Sequence, residues 1–133
     1  MQLIENFKKV NEIIIYKNGL KTKLNKSDYN YSRILSEWIS TIKTARIMPA
    51  FGVSLNKETQ NAIKFGLWIE FIFDGIYYND EMPYEKLLIE VKKEWTGFNL
   101  IRYNTNFGYE GRCFYLDLVN KNMAKIYNLI EIM

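Results

Sequence analysis

Apolar and polar residues alternate with the two-residue period of a β-strand through much of the second half of the chain. The stretch begins with five apolar residues at alternate positions, and they are Phe65, Leu67, Ile69, Phe71 and Phe73. Because successive side chains of a strand point to opposite faces of a sheet, this set predicts a strand with one face turned to the core. Runs at 87–95, 98–103 and 109–117 have the same character, so the stretch predicts an antiparallel meander.

Three dipeptides predict tight turns between strands. Asn18-Gly19 separates two apolar runs, and both central positions of a type I′ turn require positive φ angles, which Asn and Gly tolerate. Asp74-Gly75 and Thr96-Gly97 predict two further hairpins on the same grounds. Pro83 has no backbone N–H to donate, so the polar segment 79–86 is expected to stay outside the sheet.

A helical period replaces the strand period between Asp28 and Ala45. The apolar positions follow i, i+3, i+4 and i+7 steps, and they are Tyr31, Ile34, Leu35, Trp38, Ile39, Ile42 and Ala45. This spacing predicts a long amphipathic helix that lies on the sheet, with Ser27 as its N-cap. A second stripe after residue 120 predicts a C-terminal helix, and its members are Met123, Ile126, Tyr127 and Ile130.

Together these elements predict an α+β fold in a single domain over residues 1–133. An antiparallel meander sheet of about five to six strands is expected, with the long amphipathic helix and the C-terminal helix packed on one face. The chain has 133 residues, of which 48% are hydrophobic and 16% aromatic. A chain of this size can bury a core without a disulfide or a metal ion.

The composition narrows the chemistry. The chain contains no histidine and one cysteine, Cys113. Ser-His-Asp catalysis, Cys-His catalysis and metal ligation by histidine are therefore excluded. The sequence also lacks a phosphate-binding glycine loop, a CxxC pair and an HExxH motif. We therefore expect no cofactor and favour a protein that is not an enzyme.

The same features predict a location. The N-terminal segment contains Glu5 and no long apolar core, and no run reaches the roughly 18 apolar residues that a membrane helix needs. A single cysteine allows no internal disulfide, which suits a reducing compartment. We expect a cytoplasmic protein that does not bind a membrane.

The charge does not indicate a nucleic-acid partner. The net charge is only +3. A small group of lysines lies on the first predicted hairpin, at Lys17, Lys21, Lys23 and Lys26. Such a group gives a weak, salt-sensitive attraction to phosphates, so we expect no specific binding of DNA or RNA.

Aromatic residues on the predicted polar face of the sheet form a first candidate site. They are Trp68, Tyr103, Tyr109 and Tyr115. An exposed aromatic face would provide anchors for another protein, since tyrosine and tryptophan are frequent hot spots of protein interfaces. Cross-strand tyrosine pairs are also ordinary stabilisers of a sheet, and that interpretation stays open.

Charged residues on the predicted apolar face form a second candidate site. A hairpin loop at 104–108 sets Arg102 opposite Glu110, with Arg112 on the same side one pair further along. A buried charge must be paired or lie at an opening to water. One interpretation is an ion pair at the rim of the core. The other is the mouth of a pocket, where Glu110 orients Arg102 and Arg112 binds a carboxylate or phosphate.

Two functional hypotheses follow. The first is a non-catalytic protein-binding or regulatory module, of the inhibitor or immunity type, whose partner is another protein that docks on the aromatic face. The alternative is a small anionic-ligand-binding protein or enzyme with a pocket at Arg102, Glu110 and Arg112. The first is favoured because the chain lacks the usual catalytic groups.

Overall fold

The computed structural model describes residues 2–50 and 52–133. Within these ranges four α-helices accompany an open antiparallel sheet of seven strands. The strands are β1 Val10–Lys17, β2 Leu20–Asn25, β3 Arg46–Met48, β4 Val53–Ser54, β5 Leu67–Asn79, β6 Met82–Glu90, β7 Gly97–Tyr103, β8 Gly111–Arg112 and β9 Phe114–Asp117. The helices are α1 Gln2–Asn6, α2 Tyr29–Ile42, α3 Asn56–Ala62 and α4 Ala124–Glu131, and a 3₁₀ turn covers Phe7–Lys9.

The strand order confirms the predicted α+β meander. The sheet runs β2-β1-β5-β6-β7-β9-β3, and β5, β6, β7 and β9 are neighbours in chain order. Strands β4 and β8 leave this sheet and form a separate two-stranded ribbon. The additional strands β1, β2 and β3 extend the meander on both sides, which brings the sheet to seven strands.

The main core lies between the sheet and the two predicted helices. Trp38 of α2 is 0% exposed. Its ring centroid lies 4.9 Å from that of Phe71 and 5.4 Å from that of Phe98. Ile126 and Ile130 of α4 are buried in the same cluster. Both helices therefore cover one face of the sheet, as the two apolar stripes predict.

The first hairpin is confirmed in register and in turn geometry. Lys17 pairs with Leu20 across Asn18 and Gly19, whose φ angles are +49° and +86°. The turn is also fixed to the start of β5. The Asn18 backbone N–H donates to the Gly66 carbonyl at 2.8 Å, and the Gly66 N–H donates to Asn18 Oδ1 at 2.9 Å.

The predicted turn at Asp74-Gly75 is wrong. Strand β5 continues to Asn79 through an irregularity between Ile72 and Tyr77, and the chain reverses at Asp80 and Glu81, with φ angles of +50° and +65°. Pro83 pairs with Tyr78 and lies inside the sheet. It is the second residue of β6, a position near a strand start where a missing N–H is tolerated.

The predicted hairpin at Thr96-Gly97 is also wrong. Strand β6 ends at Glu90, and Leu87 pairs with Arg102. The Val91 N–H still donates to the Leu67 carbonyl of β5 at 2.9 Å, and residues 92–96 then leave the sheet and bind the segment before α4. The Trp95 carbonyl accepts the Met123 N–H at 3.1 Å, and the Thr96 carbonyl accepts the Leu118 N–H at 2.8 Å.

The start of α2 differs from the prediction by one residue. Asp28 occupies the N-cap position in place of Ser27. The Asp28 carboxylate accepts the Asn25 backbone N–H at 2.7 Å, so it closes the turn between β2 and the helix. No helix in residues 2–50 and 52–133 combines the length and apolar character needed to cross a membrane.

Truncation of the core tryptophan tests the packing. Trp38→Ala removes a fully buried ring from an aromatic cluster, so we expect it to lower the free energy of unfolding by about 3–5 kcal/mol. Urea unfolding measures the change. Tyr29→Ala is the control on the same helix, because Tyr29 is 77% exposed, and its loss should stay below about 1 kcal/mol. Equal losses in the two variants would contradict the placement of the helix face.

Candidate functional site

The predicted aromatic face is not open to solvent. Trp68 and Tyr109 are buried, and Tyr103 and Tyr115 are half-buried. Trp68 and Tyr109 form a small second core with Ile63, just beyond the end of α3, and Leu88. The expected exposed platform is therefore wrong for these two residues. Leu88 and Ile101 are apolar but share the parity of polar residues such as Glu90 and Asn99. They are the sequence signal that this face is also covered.

A carboxylate lies inside this second core. Glu70 is 1% exposed. Its Oε1 accepts the Tyr16 hydroxyl at 2.9 Å, and its Oε2 accepts the Tyr109 hydroxyl at 2.5 Å. Burial and the nearby Glu70 charge both raise the pKa of Tyr16 and of Tyr109 well above the usual range. The two hydroxyls therefore remain protonated donors to Glu70 at neutral pH.

The structure separates the three charged residues that were predicted to share a pocket mouth. Leu100 pairs with Phe114, two positions away from the expected register. The shift arises because the chain between β7 and β9 makes an excursion: Asn104 bridges to Gly108, and β8 pairs with β4. Glu110 therefore does not lie opposite Arg102, and no ion pair joins Arg102 to Glu110.

Arg102 fixes this excursion to the sheet. Its side chain is buried, its Nε–H donates to the Arg112 carbonyl at 2.7 Å, and its Nη1 donates to the Pro83 carbonyl at 2.8 Å. Burial and then the nearby Arg112 charge lower the pKa of Arg102, although the Cys113 side chain opposes this shift. Gly111 has φ +129°, and a Cβ there would lie 2.9 Å from Arg102 Nη2. A glycine is therefore required beside the guanidinium.

Further polar contacts hold the ribbon of β4 and β8 and the loop beside it. Ser54 Oγ donates to the Tyr109 carbonyl and lies 3.3 Å from the Gly111 carbonyl. Asn56 Oδ1 accepts the Tyr109 N–H at 3.0 Å, and the Glu110 carboxylate accepts the Asn56 N–H at 3.0 Å. These bonds satisfy backbone groups that have no partner in the main sheet.

The ribbon and loop present apolar side chains to solvent. Val53 is 67% exposed, Leu55 45% and Phe107 68%. Arg112 is exposed and pairs directly with Val53. Directly paired residues share one face of a ribbon. We call Val53, Leu55, Phe107 and Arg112 the ribbon patch. Ser54, between two of its members, turns inward to the Tyr109 carbonyl, so Val53 and Leu55 point outward.

Two of the cavities among the described residues lie near polar groups of interest. A cleft of about 530 Å³ separates α2 from the segment before α4, and its lining is polar and largely exposed. Lys121 crosses this cleft and donates to the Ser40 carbonyl at 3.2 Å. A shallower depression of about 270 Å³ opens beside Tyr16 and Tyr109. Residues 2–50 and 52–133 contain no group of three or more Cys, Asp or Glu side chains placed to hold a metal ion.

Comparisons of the chain with protein-family models, with curated proteins and with solved structures find no significant match.

Replacement of each of the two arginines by methionine tests the structural role of Arg102. Arg102→Met leaves the Arg112 and Pro83 carbonyls without their donors, so we expect a loss of about 2 kcal/mol or more in the free energy of unfolding. Arg112→Met removes the same charge from an exposed position and should change stability by less than about 0.5 kcal/mol. Chemical denaturation of both variants decides the matter. Similar losses of unfolding free energy in the two variants would show that the hydrogen bonds of Arg102 do not stabilise the fold.

The tyrosines that bind Glu70 predict a loss of stability at alkaline pH. The folded-state pKa of Tyr109 is raised, so its contribution is complete below the ordinary tyrosine pKa of about 10 and falls as pH rises above that value. One such group accounts for at most about 1.4 kcal/mol per pH unit. Urea unfolding between pH 8 and 11 should give a shallower decline for Tyr109→Phe than for the wild type. Identical slopes would contradict the coupling.

Proposed function

We propose that the protein is a non-catalytic module that binds another protein through the ribbon patch. The observation that carries this proposal is the exposure of Val53, Leu55 and Phe107, with Arg112 paired to Val53, on a backbone held by partly buried hydrogen bonds. Exposed apolar side chains that cluster on a surface often mark an interaction site. Aromatic residues and arginine are enriched where protein interfaces are buried.

The rigidity of the ribbon favours binding. The segments that carry the patch are fixed by hydrogen bonds that Arg102 and Ser54 donate and by one that Asn56 Oδ1 accepts. A partner therefore meets a surface whose backbone is already ordered, which lowers the entropy lost on association. Burial of apolar area on contact contributes about 25 cal/mol per Å² before that loss is subtracted.

Arg112 suggests the chemistry of the partner. Among residues 2–50 and 52–133, its guanidinium makes one hydrogen bond, a long one of 3.4 Å from Nη2 to the Ala50 carbonyl. Its charge lies close enough to Arg102 to lower the pKa of that residue. A carboxylate on the partner would relieve this repulsion and accept two parallel bonds from the planar guanidinium. We therefore propose a partner surface with an Asp or Glu side chain surrounded by apolar groups.

A small anionic ligand is the second candidate. The proximity of Arg102 and Arg112, without a carboxylate paired to either in the described residues, favours an anion at Arg112. Glu110 takes no part in this version, because its carboxylate binds the Asn56 N–H. The two candidates differ in their need for Phe107, which a protein partner would cover and a small anion would leave exposed.

A regulatory role, by inhibition or protection of the partner, accords with the absence of histidine and of the catalytic motifs considered above. We also propose a cytoplasmic location. The support is the single buried cysteine, Cys113, whose thiol pKa is raised by burial. Such a thiol is a weak nucleophile and fits a structural role.

Affinity capture from lysate of the source cell tests the protein-binding proposal. We expect the wild-type protein to retain a partner that the double variant Phe107→Ala, Arg112→Gln does not retain. With that partner purified, calorimetry should show an affinity at least about 30-fold weaker for the double variant, as for an interface hot spot of about 2 kcal/mol. Both residues are exposed, so the variant should fold normally.

The matched control is Phe65→Ala, Arg46→Gln. Phe65 is 73% exposed and Arg46 is exposed, and both lie outside the ribbon patch. The control should retain the partner with the wild-type affinity. A set of captured proteins that is the same for wild type and both variants would refute the ribbon patch as an interface. Loss of binding with Arg112→Gln but not with Phe107→Ala would favour the anionic ligand.

A further inference from the structure

Glu70 is a buried carboxylate without a cationic partner. The three ion pairs among residues 2–50 and 52–133 join Lys8 to Glu5, Lys23 to Glu12 and Lys92 to Glu90, and none includes Glu70. Both Glu70 oxygens accept hydrogen bonds from tyrosine hydroxyls. These contacts occupy both oxygens with neutral hydroxyl groups. A buried charge is costly unless it is paired, so the Glu70 carboxylate would be stabilised by a nearby cation.

A depression opens directly beside the tyrosines that bind Glu70. Its volume is about 270 Å³, and its lining residues are Tyr16, Gly19, Gln60, Ile63, Lys64 and Tyr109. Tyr16 is half-buried and lines the depression together with Tyr109. The Lys64 ammonium lies 3.4 Å from Asn61 Oδ1. Lys64 is therefore bound to a residue that does not line the depression.

The two tyrosines of the lining suit a positively charged organic group. Each tyrosine donates its hydroxyl hydrogen to Glu70 and keeps oxygen lone pairs that can accept from an ammonium N–H. The aromatic rings attract cations through their faces. The side chain of Ile63 offers an apolar surface for an alkyl chain. A metal ion has no comparable set of ligands here, because one carboxylate alone is available.

We propose that this depression binds an organic ammonium ion, with the tyrosine hydroxyls as contacts and the Glu70 carboxylate as the counter-charge behind them. This inference does not depend on the ribbon patch or on a protein partner. The ammonium group is the shared chemistry of a free alkylamine and of a lysine side chain, and the experiment separates these two sources.

Titration of the full chain with n-butylammonium chloride, followed by NMR of the backbone amides, tests the site. We expect saturable shifts at Gly19, Gln60 and Lys64, and no saturable shift with 1-butanol, which has the same alkyl chain and no charge. Nα-acetyl-lysine methylamide forms a second arm. Tighter binding of this compound than of butylammonium would identify a protein side chain as the natural source, and weaker binding would identify a free amine.

Three variants separate a binding role from a structural one. Glu70→Gln should weaken butylammonium binding at least about tenfold. Gln60→Glu adds a negative charge at an exposed position on the rim and should strengthen binding, and it does not alter the buried group. Glu58→Gln is the control, since it removes one negative charge from an exposed position on the same helix outside the lining. Its affinity should equal that of the wild type.

Two outcomes would overturn the inference. One is butylammonium binding no more strongly than 1-butanol to the wild-type protein. The other is an unchanged affinity in both Glu70→Gln and Gln60→Glu. The second variant keeps the test decisive if Glu70→Gln fails to fold, because an exposed helical position tolerates glutamate.

Discussion

The bond between the Arg102 side chain and the backbone of β8 is the constraint on which the second face of the sheet depends. A regular hairpin would carry β7 directly into β9, with every backbone group paired in the ladder. Instead the chain leaves the sheet after Tyr103 and returns at Phe114, and Arg102 supplies donors to the Arg112 and Pro83 carbonyls at that gap. A buried guanidinium suits this task because it has five donors in a planar fork. The excursion thereby becomes part of the rigid structure.

Most of the elements that the sequence predicts correctly lie where the apolar residues follow a regular period. The stripe centred on Trp38 identifies α2 and its buried face, and Asn18-Gly19 identifies the first hairpin with its register. The prediction fails where a local signal competes with a distant one. Asp74-Gly75 is a good turn dipeptide, yet the pairing of Tyr78 with Pro83 extends β5 past it. Thr96-Gly97 fails because the Trp95 and Thr96 carbonyls bind the segment before α4, a contact that sequence spacing does not reveal.

In the candidate sites too, the sequence predicts what depends on local pattern and misses what depends on distant contacts. The parity argument places Arg102 correctly on the apolar side, because a register error of two positions leaves the face of each residue unchanged. The same error misplaces Glu110, whose partner depends on the register itself. The polar alternation around Glu70 indicates a solvated face, but Ile63, just beyond α3, and Tyr109 cover it. Val53 and Leu55 lie in an aperiodic segment, where sequence pattern gives no direction for a side chain, so their exposure is known only from the structure.

Tyr109 joins the two surfaces that emerge from this face. Its N–H binds Asn56, its carbonyl accepts Ser54, and its hydroxyl binds Glu70. The first two contacts hold the ribbon, and the third joins Tyr109 to Glu70 and Tyr16 beside the depression. A shared residue does not by itself couple two binding events, because coupling requires an element with two arrangements that each ligand favours differently. Here every polar group of Tyr109 is engaged in one arrangement. Tyr109 therefore supports both surfaces through separate polar groups, with its backbone at the ribbon and its hydroxyl at the depression.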